Sequence, residues 1–201
     1  MTREAVLVFG TYNPVTLAHI YLGKCVKALK PDADIIYIPS RRSFIKTWKQ
    51  YDDNNIFSDE ERIALLKECA LAEGFGVDTL EVDEIVDGRT ILTVEHFKKT
   101  YDNVYICMGM DKVLEFHKWY RSDELVADNK FLICTRAGQH ISDVATELVG
   151  AHMENFTEVE MPETMQHISA TAVRKAYLDN NLDSVKDLIP TPVYDFLKNR
   201  G

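Results

Sequence analysis

Short runs of almost purely apolar residues recur along this chain, each too brief for a helix and too uniform for a half-exposed strand. Ala5–Phe9, Ile35–Ile38, Val104–Met108 and Phe131–Cys134 are the clearest, with weaker candidates over 77–82 and 156–160. Strands of that composition are buried on both faces, which happens when helices cover both sides of a parallel sheet. The intervening stretches fit. Leu17–Lys30 places Ile20, Leu22, Val26 and Leu29 at helical spacing and stops at Pro31. Ser58-Asp-Glu-Glu61 is a capping box that opens a helix running to about Ala72. Further helices are predicted over 91–100, 142–150, 169–179 and 191–199. The alternation predicts an α/β fold, a Rossmann-like doubly wound parallel sheet with helices on both faces. With 201 residues, no internal repeat and no linker, one domain spanning 1–201 is expected.

Composition narrows the partners. A net charge of −9 argues against a nucleic-acid backbone, whose recognition needs a basic face. No apolar run approaches the roughly 20 residues that cross a bilayer, and the first residues lead straight into a strand rather than a leader, so a cytoplasmic protein is expected. Cys25, Cys69, Cys107 and Cys134 stand alone in apolar stretches without a C-x-x-C, the pattern of reduced core thiols rather than disulfides or zinc ligands. Positive charge does gather locally. Arg41, Arg42, Lys46 and Lys49 share one acid-free stretch inside a long polar loop, 39–57. A solvated loop and contact with an anionic substrate both account for it.

Two segments carry the chemistry. Gly10-Thr-Tyr-Asn-Pro-Val-Thr-Leu-Ala-His19 joins the first strand to the first helix, where open α/β sheets bind ligands against a helix N-terminus. Gly10 would allow close backbone approach, and Pro14 would hold Asn13 extended. Thr16 is placed as N-cap, which puts His19 in the first helical turn with its imidazole able to donate to a phosphate oxygen. Read alone, His19 could equally be a capping or core histidine. Near the other end, Ile168-Ser-Ala-Thr-Ala-Val-Arg174 offers hydroxyls at Ser169 and Thr171 for a helix start, with the forked donor of Arg174 one turn inside. Read alone, that string is also a capped amphipathic helix with a solvated arginine.

Together the two segments resemble the paired signatures of the nucleotidyltransferase superfamily. Thr16-x-x-His19 is similar to its T-x-G-H variant of H-I-G-H, with Ala18 in place of the usual glycine, and Ile168–Arg174 to its I-S-[ST]-T-x-[IV]-R. Gly109-Met-Asp111 followed by Trp119, Thr135-Arg-Ala-Gly138 and Ile189-Pro-Thr-Pro-Val193 look like stretches of the nicotinate- and nicotinamide-nucleotide adenylyltransferases. Thr90–Val94 matches that family loosely, and Pro39–Lys46 departs from its P-x-x-x-P-H-K. Met165-Gln-His167 does not match the R-T-x-G-I-S-T of cytidylyltransferases, which favours ATP over CTP.

The resemblance implies AMP transfer from ATP to nicotinate or nicotinamide mononucleotide. His19, Thr16 and Arg174 would be catalytic. ATP would be bound by Gly10, Thr11, Thr16, His19, Ile168, Ser169, Thr171 and Arg174. The mononucleotide would lie against Asn13, Lys46, Thr93, Gly109, Asp111, Trp119 and Arg136, with Asp111 on the ribose and Trp119 beside the pyridine ring. Mg²⁺ would arrive on the triphosphate, since no acidic cluster suggests a protein cage. A homo-oligomer is compatible with the sequence. The alternatives are another phosphate acceptor, such as phosphopantetheine, and a non-catalytic ATP-binding regulatory module.

Overall fold

A computed structural model describes residues 2–41, 57–135 and 138–200 of the chain. The strands are β1 (Glu4–Gly10), β2 (Asp34–Pro39), β3 (Gly76–Val77), β4 (Asn103–Gly109), β5 (Lys130–Thr135) and β6 (Phe156–Glu160). They form one sheet in the order β3-β2-β1-β4-β5-β6, with every pairing parallel. The α-helices are α1 (Leu17–Leu29), α2 (Asp59–Leu71), α3 (Thr90–Phe97), α4 (Ser122–Ala127), α5 (Glu147–Gly150), α6 (Glu163–Gln166), α7 (Ala170–Leu178) and α8 (Thr191–Asn199).

After their first residues β1, β2, β4 and β5 are largely apolar because both faces are covered, whereas the edge strand β6 exposes Thr157, Glu158 and Glu160. Val6, Val8, Tyr37, Cys107 and Leu132 point into one layer with Val26 of α1, Leu66 of α2, Val173 of α7 and Val193 of α8. Ala5, Leu7, Ile38, Ile106 and Phe131 point into the other, with Val94 of α3, Val126 of α4 and Val149 of α5. Phe116, from a 3-10 helix over Met110–Lys118, joins that second layer. Among the described residues no helix is long and apolar enough to cross a membrane.

Two expected elements are shorter than their sequence pattern. Of the stretch 77–82 only Val77 reaches the sheet, in the two-residue strand Gly76–Val77. Asp78 Oδ1 accepts the Leu80 N–H at 2.9 Å, and Asp83 N–H bonds to the Thr79 carbonyl at 2.8 Å. These local bonds turn the chain away, although Leu80 and Glu81 stay buried. The stretch 142–150 divides into a 3-10 turn, Ile141–Asp143, and the single turn α5.

Strand order reverses between β1 and β4, and those neighbours end at Gly10 and Gly109. This switch point is where open α/β sheets leave a crevice. A buried cation fastens its rim. α2 opens with the expected capping box between Ser58 and Glu61, and next in line the side chain of Arg62 is wholly buried. Its Nε donates to Asp59 Oδ1 at 2.8 Å, Nη1 to the Thr11 carbonyl at 2.7 Å, and Nη2 to the Ser40 carbonyl. One guanidinium thus ties the turn after β1, the segment after β2 and the start of α2 together. The Ser40 N–H adds a bond to the Gly10 carbonyl at 2.9 Å.

Removing one partner of a buried charged pair costs about 3–5 kcal/mol. Arg62→Ala is expected to lose stability in that range in urea unfolding, with Arg62→Lys recovering part of it. A loss below about 1 kcal/mol would show that the clamp contributes little.

Candidate active site

The turn after β1 is packed from its own residues. Tyr12 adopts a left-handed backbone, φ 49°, and its hydroxyl donates to the Val8 carbonyl. That folds its ring over Gly10, where a Cβ would fall 2.6 Å from Tyr12 Cζ. The sequence argument assigned the glycine's open space to a ligand; here it holds the tyrosine ring. The Asn13–Pro14 peptide is cis. Asn13 is buried; its Oδ1 accepts the Phe57 N–H at 3.1 Å, and its Nδ2 has no partner among the described residues.

Thr16 is the N-cap of α1, with His19 as its reciprocal partner. The Thr16 N–H donates to His19 Nδ1 at 3.0 Å, and the His19 N–H approaches Thr16 Oγ1 at 3.5 Å. The imidazole takes the place that Glu or Gln fills in the usual box. An Nδ1 that accepts from the backbone leaves the proton on Nε2, so the ring is the neutral tautomer. Burial works in the same direction and pushes the pKa down to about 4. His19 is therefore a capping histidine through one nitrogen and an N–H donor through the other, and the ring keeps partial exposure.

The second motif arrives from the far end of the chain. Ser169 caps α7 by accepting the Ala172 N–H at 3.1 Å, and Ile168 is buried beneath it. Arg174 donates through Nη2 to Thr171 Oγ1 at 3.2 Å. Its Nη1 donates to the Asn13 carbonyl at 2.6 Å, across 161 residues of sequence. The motifs that the sequence pairs by resemblance are thus in direct contact. Neither α1 nor α7 carries an acid in its first turn, whereas α2 carries Asp59, Glu60 and Glu61. Two uncompensated helix N-termini and a guanidinium converge here, the arrangement that favours a polyanion.

At the β4 end, a Cβ on Gly109 would lie 2.7 Å from Asp111 Oδ1, so the glycine makes room for that carboxylate. Asp111 is exposed and pairs with Lys112 at 2.7 Å. Trp119 is half-buried, edge-on to Phe116 at 4.9 Å and 70°. Thr93 is fully buried, and its hydroxyl donates to Glu81 Oε1 at 2.7 Å rather than facing the crevice. Burial pushes the Glu81 carboxyl up to about 7, opposed by the Thr93 bond and the Arg41 charge and assisted by Asp87. Lys46 and Arg136 lie outside the described residues, as do Arg42 and Lys49. No group of three or more His, Cys, Asp or Glu is placed to hold a metal among the described residues.

Sequence reasoning passed over Arg62, Phe57 and Glu81. Arg62 follows three acids at a helix start and reads as a solvated surface cation. Phe57 works through its backbone N–H, which any residue but proline carries. The only signal at Glu81 is an acid between Leu80 and Val82 in a stretch that is otherwise rich in acids.

The sequence profile described as cytidylyltransferase-like matches residues 7–176. A Clostridium tetani protein named "Probable nicotinate-nucleotide adenylyltransferase" is 26% identical over 99% of this chain and 98% of its own length. A Carboxydothermus hydrogenoformans protein of the same name is 29% identical over 94% and 92%. Among solved structures, Plasmodium falciparum nicotinic acid mononucleotide adenylyltransferase complexed with APC superimposes with a TM-score of 0.74 at 17% identity, covering 98% of this chain and 96% of that one. At that identity the likeness concerns the fold.

The neutral state of His19 has a pH signature. Its folded pKa, about 4, lies below the ordinary value of 6.5. The unfolded chain therefore binds the proton more readily, and the contribution is present above about pH 6.5 and lost as pH falls through about 4. Between pH 7 and pH 4 the wild type is expected to lose on the order of 2 kcal/mol more than His19→Asn in urea unfolding. Parallel pH profiles would contradict the neutral assignment.

Proposed function

The chain belongs to the cytidylyltransferase-like family, and we propose that it is an adenylyltransferase that moves AMP from ATP to the phosphate of nicotinate mononucleotide. The observation that carries this reading is the Arg174 bond to the Asn13 carbonyl, which sets two phosphate-binding segments side by side at the switch point. The curated relatives support nicotinate mononucleotide as acceptor by their names and by their match along almost the full chain. The absence of the cytidylyltransferase lead-in at Met165-Gln-His167 supports ATP as donor. In this reading residues 1–201 form one nucleotidyltransferase domain, working in the cytoplasm where both substrates are available.

A phosphate oxygen of the mononucleotide attacks the α-phosphorus of ATP in line. The new P–O bond forms as the bond from the α-phosphorus to the bridging oxygen breaks, and pyrophosphate leaves. The protein's share is placement and charge stabilisation rather than covalent chemistry. His19 donates its Nε2–H to a phosphate oxygen. Arg174 and the N-terminus of α7, capped by Ser169, hold the triphosphate, and the start of α1 faces the transferring group. Asp111 accepts from ribose hydroxyls, and the exposed part of the Trp119 ring lies against the pyridine. Mg²⁺ suits a site of this kind, since phosphate oxygens and water supply most of its ligands; it would offset charge on the triphosphate.

Loss of one preorganised donor costs on the order of 10²–10³ in turnover. His19→Ala is expected to fall by that factor in pyrophosphate release. Loss of the cap adds about 1 kcal/mol of instability, a melting shift of a few degrees. Activity near the wild-type level would remove His19 from the chemistry. Trp119→Ala is expected to raise KM for the mononucleotide and leave KM for ATP nearly unchanged; equal effects on both would contradict stacking. Running nicotinate mononucleotide and phosphopantetheine side by side tests the acceptor, and turnover of the second alone would overturn the reading.

A further inference from the structure

One cation that follows the end of β2 carries a buried donor with no acceptor among the described residues. Arg41 follows Ser40, whose N–H and hydroxyl both reach the Gly10 carbonyl, so the first motif fixes where it leaves the sheet. Arg41 Nη1 pairs with Glu84 Oε1 at 3.0 Å, while its Nε is buried and has no acceptor among the described residues. The Glu84 side chain is 70% exposed, so that ion pair is solvated and weak. A buried guanidinium N–H without an acceptor is costly, and such groups call for an explanation.

The surroundings point to the pyridine end of the substrate. Ile38, two residues before Ser40, packs in the same layer as Leu80, Ile91 and Trp119. Glu81, which fixes Thr93 of α3, lies close enough to feel the Arg41 charge and to act on Tyr12. Arg41 therefore lies by Glu81 and Glu84, residues of a segment whose Leu80 and Val86 pack in the layer that holds Trp119, whereas Val173 of α7 packs in the other. Nicotinate and nicotinamide differ by one group, a carboxylate against a neutral amide. A guanidinium accepts the first as a charge-assisted, forked partner and gains much less from the second.

Resting on the reading of the protein as a pyridine-nucleotide adenylyltransferase, we propose that Arg41 selects the acid. Its Nε and one terminal nitrogen take the pyridine carboxylate, and Glu84, held on Nη1, is the exposed carboxylate that competes for the same guanidinium. Glu81 does not oppose this, because burial keeps part of its population uncharged near neutral pH.

The test compares kcat/KM for nicotinate and nicotinamide mononucleotide in wild type, Arg41→Met, Arg41→Lys and Glu84→Gln. A charged hydrogen bond is worth about 10- to 100-fold. Arg41→Met is expected to lose that factor on the acid, mainly through KM, and to stay within about threefold on the amide. Arg41→Lys falls between. Glu84→Gln, which removes the competing carboxylate and leaves Arg41 in place, lowers KM for the acid or leaves it unchanged. Equal losses on both substrates with Arg41→Met, or a higher acid KM with Glu84→Gln, overturn the proposal. Should Arg41→Met fail to fold, the Arg41→Lys and Glu84→Gln ratios decide it. A wild type that prefers the amide overturns the role of Arg41 and the choice of nicotinate as acceptor but leaves pyridine-nucleotide adenylyl transfer standing, whereas a wild type that uses neither acceptor removes the function and the inference together.

Discussion

Two guanidinium groups grip backbone carbonyls of the turn after β1, and the geometry of the crevice depends on that grip. Arg62 reaches Thr11 from α2, and Arg174 reaches Asn13 from α7. The turn offers carbonyls because its chain is neither strand nor helix over residues 11–15, which leaves backbone acceptors that must be satisfied when buried. The two arginines differ in setting. Arg62 is sealed off, with Asp59 as counterion and the Ser40 carbonyl as a third acceptor, so its role is to hold. Arg174 is partly exposed and lies at the mouth of a helix without acids, so it can face an anion while holding the turn.

This arrangement suits a polyanion even on a chain of net charge −9. The attraction is local and largely made of dipoles. α1 and α7 open without a carboxylate, and the acids that ordinarily compensate helix starts are placed at α2, where Asp59 serves Arg62 and Glu61 closes the cap on Ser58. His19 adds a donor without adding a charge. With Nδ1 held by the Thr16 N–H, it offers a proton without being available to take one, which fits chemistry that needs fixed donors more than proton transfer.

The fold was legible because its strongest pattern is also its main constraint. Runs such as Ala5–Phe9 and Val104–Met108 are apolar at every position, and only a sheet covered on both faces explains that. Reading stops where local bonds defeat the pattern, as at Asp78, whose carboxylate draws the chain out of the sheet after Val77. At the crevice, motif spacing brought Thr16, His19, Ser169 and Arg174 to notice, and all four are at the two helix starts. Spacing misled about reasons. Gly10 makes room for Tyr12, and Thr93 turns inward to Glu81. Arg41 stood out only as one of a basic cluster and Arg62 not at all, because nothing in a single sequence marks which arginines lose their water.

The crevice thus divides its work along the sheet. In the proposed reading, the groups that handle phosphate come from the starts of α1 and α7, where backbone amides and one guanidinium suit any nucleoside triphosphate. The groups that distinguish acceptors in that reading come from the segments after β2 and β4, on the layer where the buried Glu81–Thr93 pair braces the start of α3. Both sets are fastened to the same turn, through Arg174 on one side and through Arg62 and Ser40 on the other. A substitution at the acceptor end can therefore change what is bound while the phosphate machinery stays in place. A substitution in the turn must disturb both, because both sets of residues are held by its carbonyls.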